Sequence, residues 1–163
     1  MKLETIYIFG KDTAAIVCAE CGRSKRMDVT RIKNIRVPRL VTCSCGATFQ
    51  ILFDRRRYYR KEVQLMGKYA LKSVMEPEAF IVTDISQSGI RFQGLSKDLR
   101  DLQSIKGIDC GDIINTEFRL DNSARSLIRG KAVVRHISAG YVGADFLGPD
   151  EFMKRELGFY MMP

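Results

Sequence analysis

The apolar residues of this chain come in short runs, which restricts it to many strands and few helices. Between residues 3 and 53, strand-like runs occupy 3–9, 14–18, 26–32, 37–42 and 48–53, with Gly, Asp and Asn at the breaks. None of them is long enough to specify a helix. From Glu62 the pattern alternates with period two. Val63, Leu65, Tyr69 and Leu71 share one face while Gln64, Lys68 and Lys72 take the other, as in a strand with one buried side. Met75-Glu76-Pro77-Glu78 interrupts the run, and Phe80-Ile81-Val82-Thr83 returns close enough in sequence to pair as an antiparallel hairpin. A turn centred near residue 76 would set residues 62–66 opposite 86–90 and bring Arg60 beside 86–89. Further strand patterns fall at 90–92, 113–120, 129–137 and 141–146. Within 95–109, Leu95, Leu99, Leu102 and Ile105 are spaced for a short helix or a crossing loop. Pro149-Asp150-Glu151 opens an amphipathic helix whose Phe152, Leu157 and Tyr160 are expected to pack on the strands. Closing many short strands on themselves removes exposed edges, so the expected class is mainly β, with a barrel and a C-terminal helix.

At 163 residues the chain can build one good core or two small ones. No apolar stretch approaches the ~20 residues that span a bilayer. Glu4 and the polar break at Gly10-Lys11-Asp12 do not fit the apolar core of a signal peptide, so the expected location is the cytoplasm. The net charge of +8 is uneven: residues 1–61 hold 14 Lys and Arg against 5 Asp and Glu, and the remainder 13 against 14. A basic first part favours anionic partners such as a nucleotide, a nucleic acid or an anionic lipid. Arg23, Lys25, Arg26, Arg31, Lys33, Arg36 and Arg39 also fit a plain solvated face.

Four cysteines lie in two pairs within this first part, Cys18-Ala19-Glu20-Cys21-Gly22 and Cys43-Ser44-Cys45-Gly46. A CxxC followed by glycine has the shape of a zinc knuckle, in which the turn aims two thiolates at one metal and glycine permits the backbone conformation. The second pair, CxC, is tighter than a zinc ribbon's usual spacing. Three accounts are open. A structural Zn2+ on Cys18, Cys21, Cys43 and Cys45 would staple a module of ~50 residues; disulfides suit an oxidising compartment; buried thiols need neither. Cys110 stands apart, as a loop or core thiol.

Two further motifs carry chemistry. Arg55-Arg56-Arg57-Tyr58-Tyr59-Arg60-Lys61 concentrates guanidinium groups, which grip phosphate bidentately and can read the O6/N7 edge of guanine. Asp84-Ile85-Ser86-Gln87-Ser88-Gly89 sets two short polar acceptors before a glycine at the end of an apolar run. By itself that segment also fits an Asx or Ser/Thr turn that ends a strand. The two together describe a pocket for an anionic guanine nucleotide.

In these residues the chain resembles the bacterial PilZ domain family, whose signature is RxxxR followed by [D/N]xSxxG. Arg56 and Arg60 match the first element, with Arg55 in front; Asp84, Ser86 and Gly89 match the second, and the likeness runs over about residues 54–150. The resemblance implies a six-stranded β-barrel that binds cyclic di-GMP, occupying 54–163 with an arginine junction at 54–61, after an N-terminal β module, zinc-ribbon-like, at 1–53. Arg55, Arg56 and Arg60 are then the phosphate and Hoogsteen-edge ligands. Asp84 would accept from guanine N–H groups and Ser86 from the same edge or a phosphate. Gly89 would admit a base or a positive φ. Arg91, Gln87 and Ser88 are rim candidates; Arg57 is expected to face solvent, and Tyr58 and Tyr59 to stack on a base or pack at the barrel mouth.

Such a protein is a receptor rather than an enzyme: binding would order the arginine junction and alter a surface read by a downstream protein partner. His136, the single histidine, sits in the strand pattern 133–137 as a packing or rim residue, and four cysteines around a zinc leave no open catalytic position. Two other readings stay open, a nucleic-acid-binding module using the basic cysteine-stapled part and a PilZ adaptor that has lost its ligand.

Overall fold

The computed structural model describes residues 3–32, 37–71, 76–95, 107–138 and 140–162, and the chain divides into two compact units, Met1–Arg57 and Tyr58–Pro163.

The described residues of the first unit hold five strands: β1 (Leu3–Tyr7), β2 (Thr13–Val17), β3 (Ser24–Asp28), β4 (Arg39–Thr42) and β5 (Thr48–Asp54). β5 lies between β1, which runs parallel to it, and the antiparallel β4. β2 and β3 form a separate hairpin that, among the described residues, shares no ladder with that sheet. The run at 26–32 is strand only as far as Asp28. There the Asp28 carboxylate accepts from the Thr30 N–H at 2.8 Å and its hydroxyl at 2.6 Å, turning the chain, and Val29 and Ile32 are buried as loop residues. Along 37–42, strand begins at Arg39, just after Pro38, which has no N–H for a ladder. Among the described residues the core is formed by Ile8, Ala14 and Ile16 with Val29, Ile32, Ile51 and Phe53.

The second unit is a closed antiparallel barrel. Its strands are β6 (Lys61–Leu71), β7 (Glu78–Ile85), β8 (Gly89–Gly94), β9 (Ile113–Arg119), β10 (Leu127–Ser138) and β11 (Tyr141–Leu147), in the order β10-β11-β8-β7-β6-β9. Leu65 and Tyr69 of β6 point inward, as the alternation requires. Phe80 and Phe92 meet edge to face with centroids 4.8 Å apart, and Tyr69 and Phe118 pack around them. The interior is therefore filled by side chains rather than open to a ligand.

The β6–β7 register differs from the expected one. Glu62 faces Asp84 and Met66 faces Ile81, so residues 62–66 lie opposite 84–81 rather than 86–90. β6 continues to Leu71 and β7 starts at Glu78, which centres the reversal before residue 76; a bulge between Glu62 and Leu65 shifts the ladder by one more position. The expected turn residue Met75 and the outward Lys72 lie outside the described residues, as do Leu99, Leu102 and Ile105 of the 95–109 stretch, and Lys33 and Arg36.

Helix α1 (Glu151–Tyr160) is capped by Asp150, whose carboxylate accepts from the Met153 N–H at 2.8 Å. It buries Met153, Leu157 and Tyr160, a 4-then-3 spacing that keeps one face on the barrel. Phe152 is a correction to the expected set: it sits one residue off that face, 47% exposed, with Arg155 over its ring. No helix among the described residues is long and apolar enough to cross a membrane.

Candidate functional site

The barrel concentrates charge where β6 begins, β7 ends and β8 starts. A bulge between Val82 and Asp84 breaks the alternation of β7, so Asp84 and Ile85 are both buried. The Asp84 carboxylate is held by two arginines, with Arg91 Nε at 2.6 Å from Oδ2 and Arg60 Nη1 at 3.4 Å from Oδ1. Both arginine side chains are less than half exposed (46% and 41%), while the carboxylate is nearly covered. A buried carboxylate needs such partners, and in exchange it fixes two guanidinium groups at the surface. Arg91 also lies 5.0 Å from the Tyr141 ring centroid, an orienting cation–π contact. The cluster carries a net charge of about +1, with N–H donors left over for an anion.

The next residues form a tight turn. The Ser86 N–H donates to Gly89 O at 2.9 Å, and Ser86 Oγ accepts from the N–H groups of Ser88 at 3.2 Å and Gly89 at 3.1 Å. The hydroxyl is buried and committed to the turn, the structural role the segment could have had alone. Gly89 is required by the neighbouring strand: it faces Asp145 across the β8–β11 ladder, and a Cβ there would collide with the carbonyl oxygen of Ala144. Its φ is not positive. The expected reason for this glycine, admission of a base or a left-handed turn, gives way to strand contact. Gln87 and Ser88 are exposed at the turn's tip.

In the first unit, Arg55 donates to the carbonyls of Val29 at 3.3 Å and Ile32 at 3.0 Å. Arg56 is tied to Asp54 at the end of β5, its N–H 2.9 Å from Oδ1 and its guanidinium 3.7 Å from Oδ2. Asp54 was missed by the sequence reading; the signal was a carboxylate two residues before a cation, the spacing of an Asx turn. Residues 55–60 form no helix or strand; Arg57 and Tyr59 are exposed and Tyr58 is half-buried. The structure thus joins Arg60, Asp84 and Arg91 directly, while Arg55 and Arg56 are engaged within the first unit. His136 is exposed on β10 beside a bulge, and Cys110 is an exposed loop thiol 3.7 Å from Arg135 O.

The four paired cysteines converge on one point. Their sulfurs all lie within 4.8 Å of one another, with Cys18 to Cys45 at 3.8 Å and Cys21 to Cys43 at 3.6 Å. Each pair sits in a hairpin turn closed by a glycine of positive φ, Gly22 at +70° and Gly46 at +89°, and the tighter CxC turn reaches the same point as the CxxC. The Cys43 thiol is held down to about 6, first by the backbone N–H of Cys45. For Cys21 the Arg23 N–H pulls the other way, but desolvation and the three neighbouring sulfurs outweigh it and push the thiol up to about 11. This cluster could hold a metal ion.

No protein-family model matches the chain, and no curated protein sequence does. Solved structures do. The PilZ domain of YcgR from Escherichia coli, solved with c-di-GMP, matches with a TM-score of 0.53 at 15% identity, over 66% of this chain and 89% of that one. The second unit has the PilZ fold. Longer PilZ-like matches take in more of the chain: the Bacillus subtilis inhibitor of motility MotI/DgrA (TM-score 0.53, 17% identity) covers 91% of it, and YcgR in complex with c-di-GMP (0.51, 14%) covers 93%. This chain spans only 62% and 65% of those two proteins. At these identities the likeness is one of fold.

Proposed function

We propose that this protein is a cyclic di-GMP receptor, binding the nucleotide through Arg56, Arg60 and Arg91, with Arg55, beside Asp84, Ser86 and Gly89. One observation carries the reading: Arg60 of the RxxxR element and Asp84 of the DxSxxG element, 24 residues apart, meet at 3.4 Å on a PilZ-like barrel, with Arg91 on the same carboxylate. Cyclic di-GMP carries two phosphodiester charges and two guanines, and planar arginine forks suit both phosphate and the guanine Hoogsteen edge. Asp84 has the further role of holding the forks outward; its Oδ1, only loosely held by Arg60, still accepts from guanine N–H groups. Ser86 and Gly89 contribute by shaping the turn. The structure of the YcgR PilZ domain with c-di-GMP supports the ligand by analogy of fold.

Arg56 and Arg60 flank residues that form no regular element, so a phosphate bound by both would order the segment and change the surface offered to a protein partner. That response is a binding event rather than turnover. Unchanged amide exchange over 50–62 at saturating ligand would rule the response out.

Calorimetric titration with cyclic di-GMP tests the assignment. A charge-assisted contact contributes ~1.5–3 kcal/mol, so Arg60→Ala is expected to weaken binding at least about tenfold, and Arg56→Ala/Arg60→Ala together to remove it. Wild-type affinity in Arg60→Ala sinks the proposal.

A further inference from the structure

We propose that Cys18, Cys21, Cys43 and Cys45 bind one Zn2+ as a closed tetrathiolate, and that this ion is the tie that holds the two sheets of the first unit together. Geometry selects the occupant. A zinc ion with Zn–S bonds of ~2.3 Å sets the sulfurs of a tetrahedron about 3.8 Å apart, and the Cys18–Cys45 and Cys21–Cys43 separations are 3.8 and 3.6 Å. A disulfide would need about 2.05 Å. Four soft sulfur donors with no oxygen among them exclude magnesium and calcium and favour zinc. The shell is complete at four ligands, which makes the ion structural.

The topology assigns the function. Among the described residues, β2–β3 shares no backbone ladder with β1-β5-β4. Cys18 and Cys21 lie in the turn that joins β2 to β3, and Cys43 and Cys45 in the turn that joins β4 to β5. One ion on all four sulfurs therefore clips the tips of two hairpins that backbone hydrogen bonds leave separate. Beside the sulfurs, one side-chain hydrogen bond joins those turns: Arg23 Nη1 donates to Ser44 Oγ at 2.9 Å. Arg23, just before β3, and Lys25, within it, line one cavity with Cys18 and Cys43 and supply positive charge near the formal 2− of a zinc tetrathiolate. The core that must otherwise hold the sheets has seven buried apolar residues, against twenty in the barrel, among the described residues. A unit of that size commonly needs a staple.

The ion is thus coupled to the folding of the first unit, and the barrel folds without it. The full chain tests this in three measurements: metal content as purified, the absorption spectrum after replacement by Co2+, and amide exchange before and after chelation. Expected are one zinc per chain and the sulfur-to-cobalt charge-transfer bands of a tetrahedral tetrathiolate. Chelation should then cut protection across β2, β3 and β4 by at least about a hundredfold and leave β6 to β11 unchanged. Cys45→Ser should lower zinc content while Cys110→Ser, outside the cluster, keeps it. Chelation keeps the proposal testable should Cys45→Ser fail to fold. The proposal is overturned by a metal-free chain with full protection over 13–54, by two disulfides in the mass spectrum, or by bound zinc whose removal leaves that protection intact.

Discussion

Gly89→Ala separates a glycine that serves a ligand from one that serves the barrel. At residue 89 an added Cβ would collide with the carbonyl oxygen of Ala144 and lie 3.2 Å from both Ala144 C and Asp145 Cα. These are backbone atoms of β11, so no rotamer change relieves the clash, and the strands must part. Overpacking of this kind costs ~1–3 kcal/mol, and the narrower unfolded ensemble of alanine returns ~0.4–1. Gly89 pairs at the end of the β8–β11 ladder, where some fraying relieves strain, so the net loss is about 1–2 kcal/mol. For a domain of ~100 residues that lowers the melting midpoint by about 4–15 °C. Two comparisons calibrate it. At Gly67, mid-strand, a Cβ would strike Glu117 O and approach Phe80 Cε1 at 2.5 Å and Phe118 Cβ at 2.7 Å, so Gly67→Ala should cost more. At Gly143 the nearest atom is His136 Cβ at 3.7 Å, an ordinary contact, and Gly143→Ala should lie within ~0.5 kcal/mol of wild type. The assay is thermal unfolding of the barrel followed by circular dichroism without nucleotide. A Gly89→Ala protein that melts with the wild type refutes the strand-contact account and returns this glycine to the ligand.

Alkaline pH should weaken the barrel. Burial, then Glu78, raises the pKa of Tyr69, whose hydroxyl donates to that carboxylate at 2.7 Å; burial, then Asp121, raises that of Tyr160. Neutral tyrosine is favoured in the folded state, so this stability is fully present below pH ~10 and is lost as pH rises beyond it, where the unfolded chain ionises first. Urea midpoints at pH 8 and 10.5 should fall in the wild type and fall less in Tyr69→Phe; equal declines would contradict the assignment. Asp150→Ala removes the cap of α1 and should cost ~0.5–2 kcal/mol, read as a lower urea midpoint for the barrel, with Asp150→Asn recovering most of it. Loss of stability equal in both variants would point away from capping.

Alternation, glycines and turn residues are local signals, and the elements they encode were legible: the strands at 113–120, 129–137 and 141–146 each appear within one or two residues of their expected limits, and α1 opens at its expected cap. Pairings were not. The parallel β1–β5 ladder joins residues 47 positions apart, and nothing in either run marks the other as its neighbour. In the β6–β7 hairpin a few residues of error in the turn, plus one bulge, moved the whole register. Arg60, expected beside 86–89, instead meets Asp84, at 3.4 Å.

The candidate site divides along the same line. Residue chemistry alone identified arginines for an anion and cysteines with metal-ligand spacing, because charge and thiol softness belong to each side chain wherever it lies. Only the tertiary structure decided that Asp84 is spanned by Arg60 and Arg91, that Ser86 spends its hydroxyl on its own turn, and that Gly89 is demanded by Ala144. Those outcomes depend on which strand lies alongside and on how a bulge turns the ladder. Both are set by long-range packing that no local pattern records.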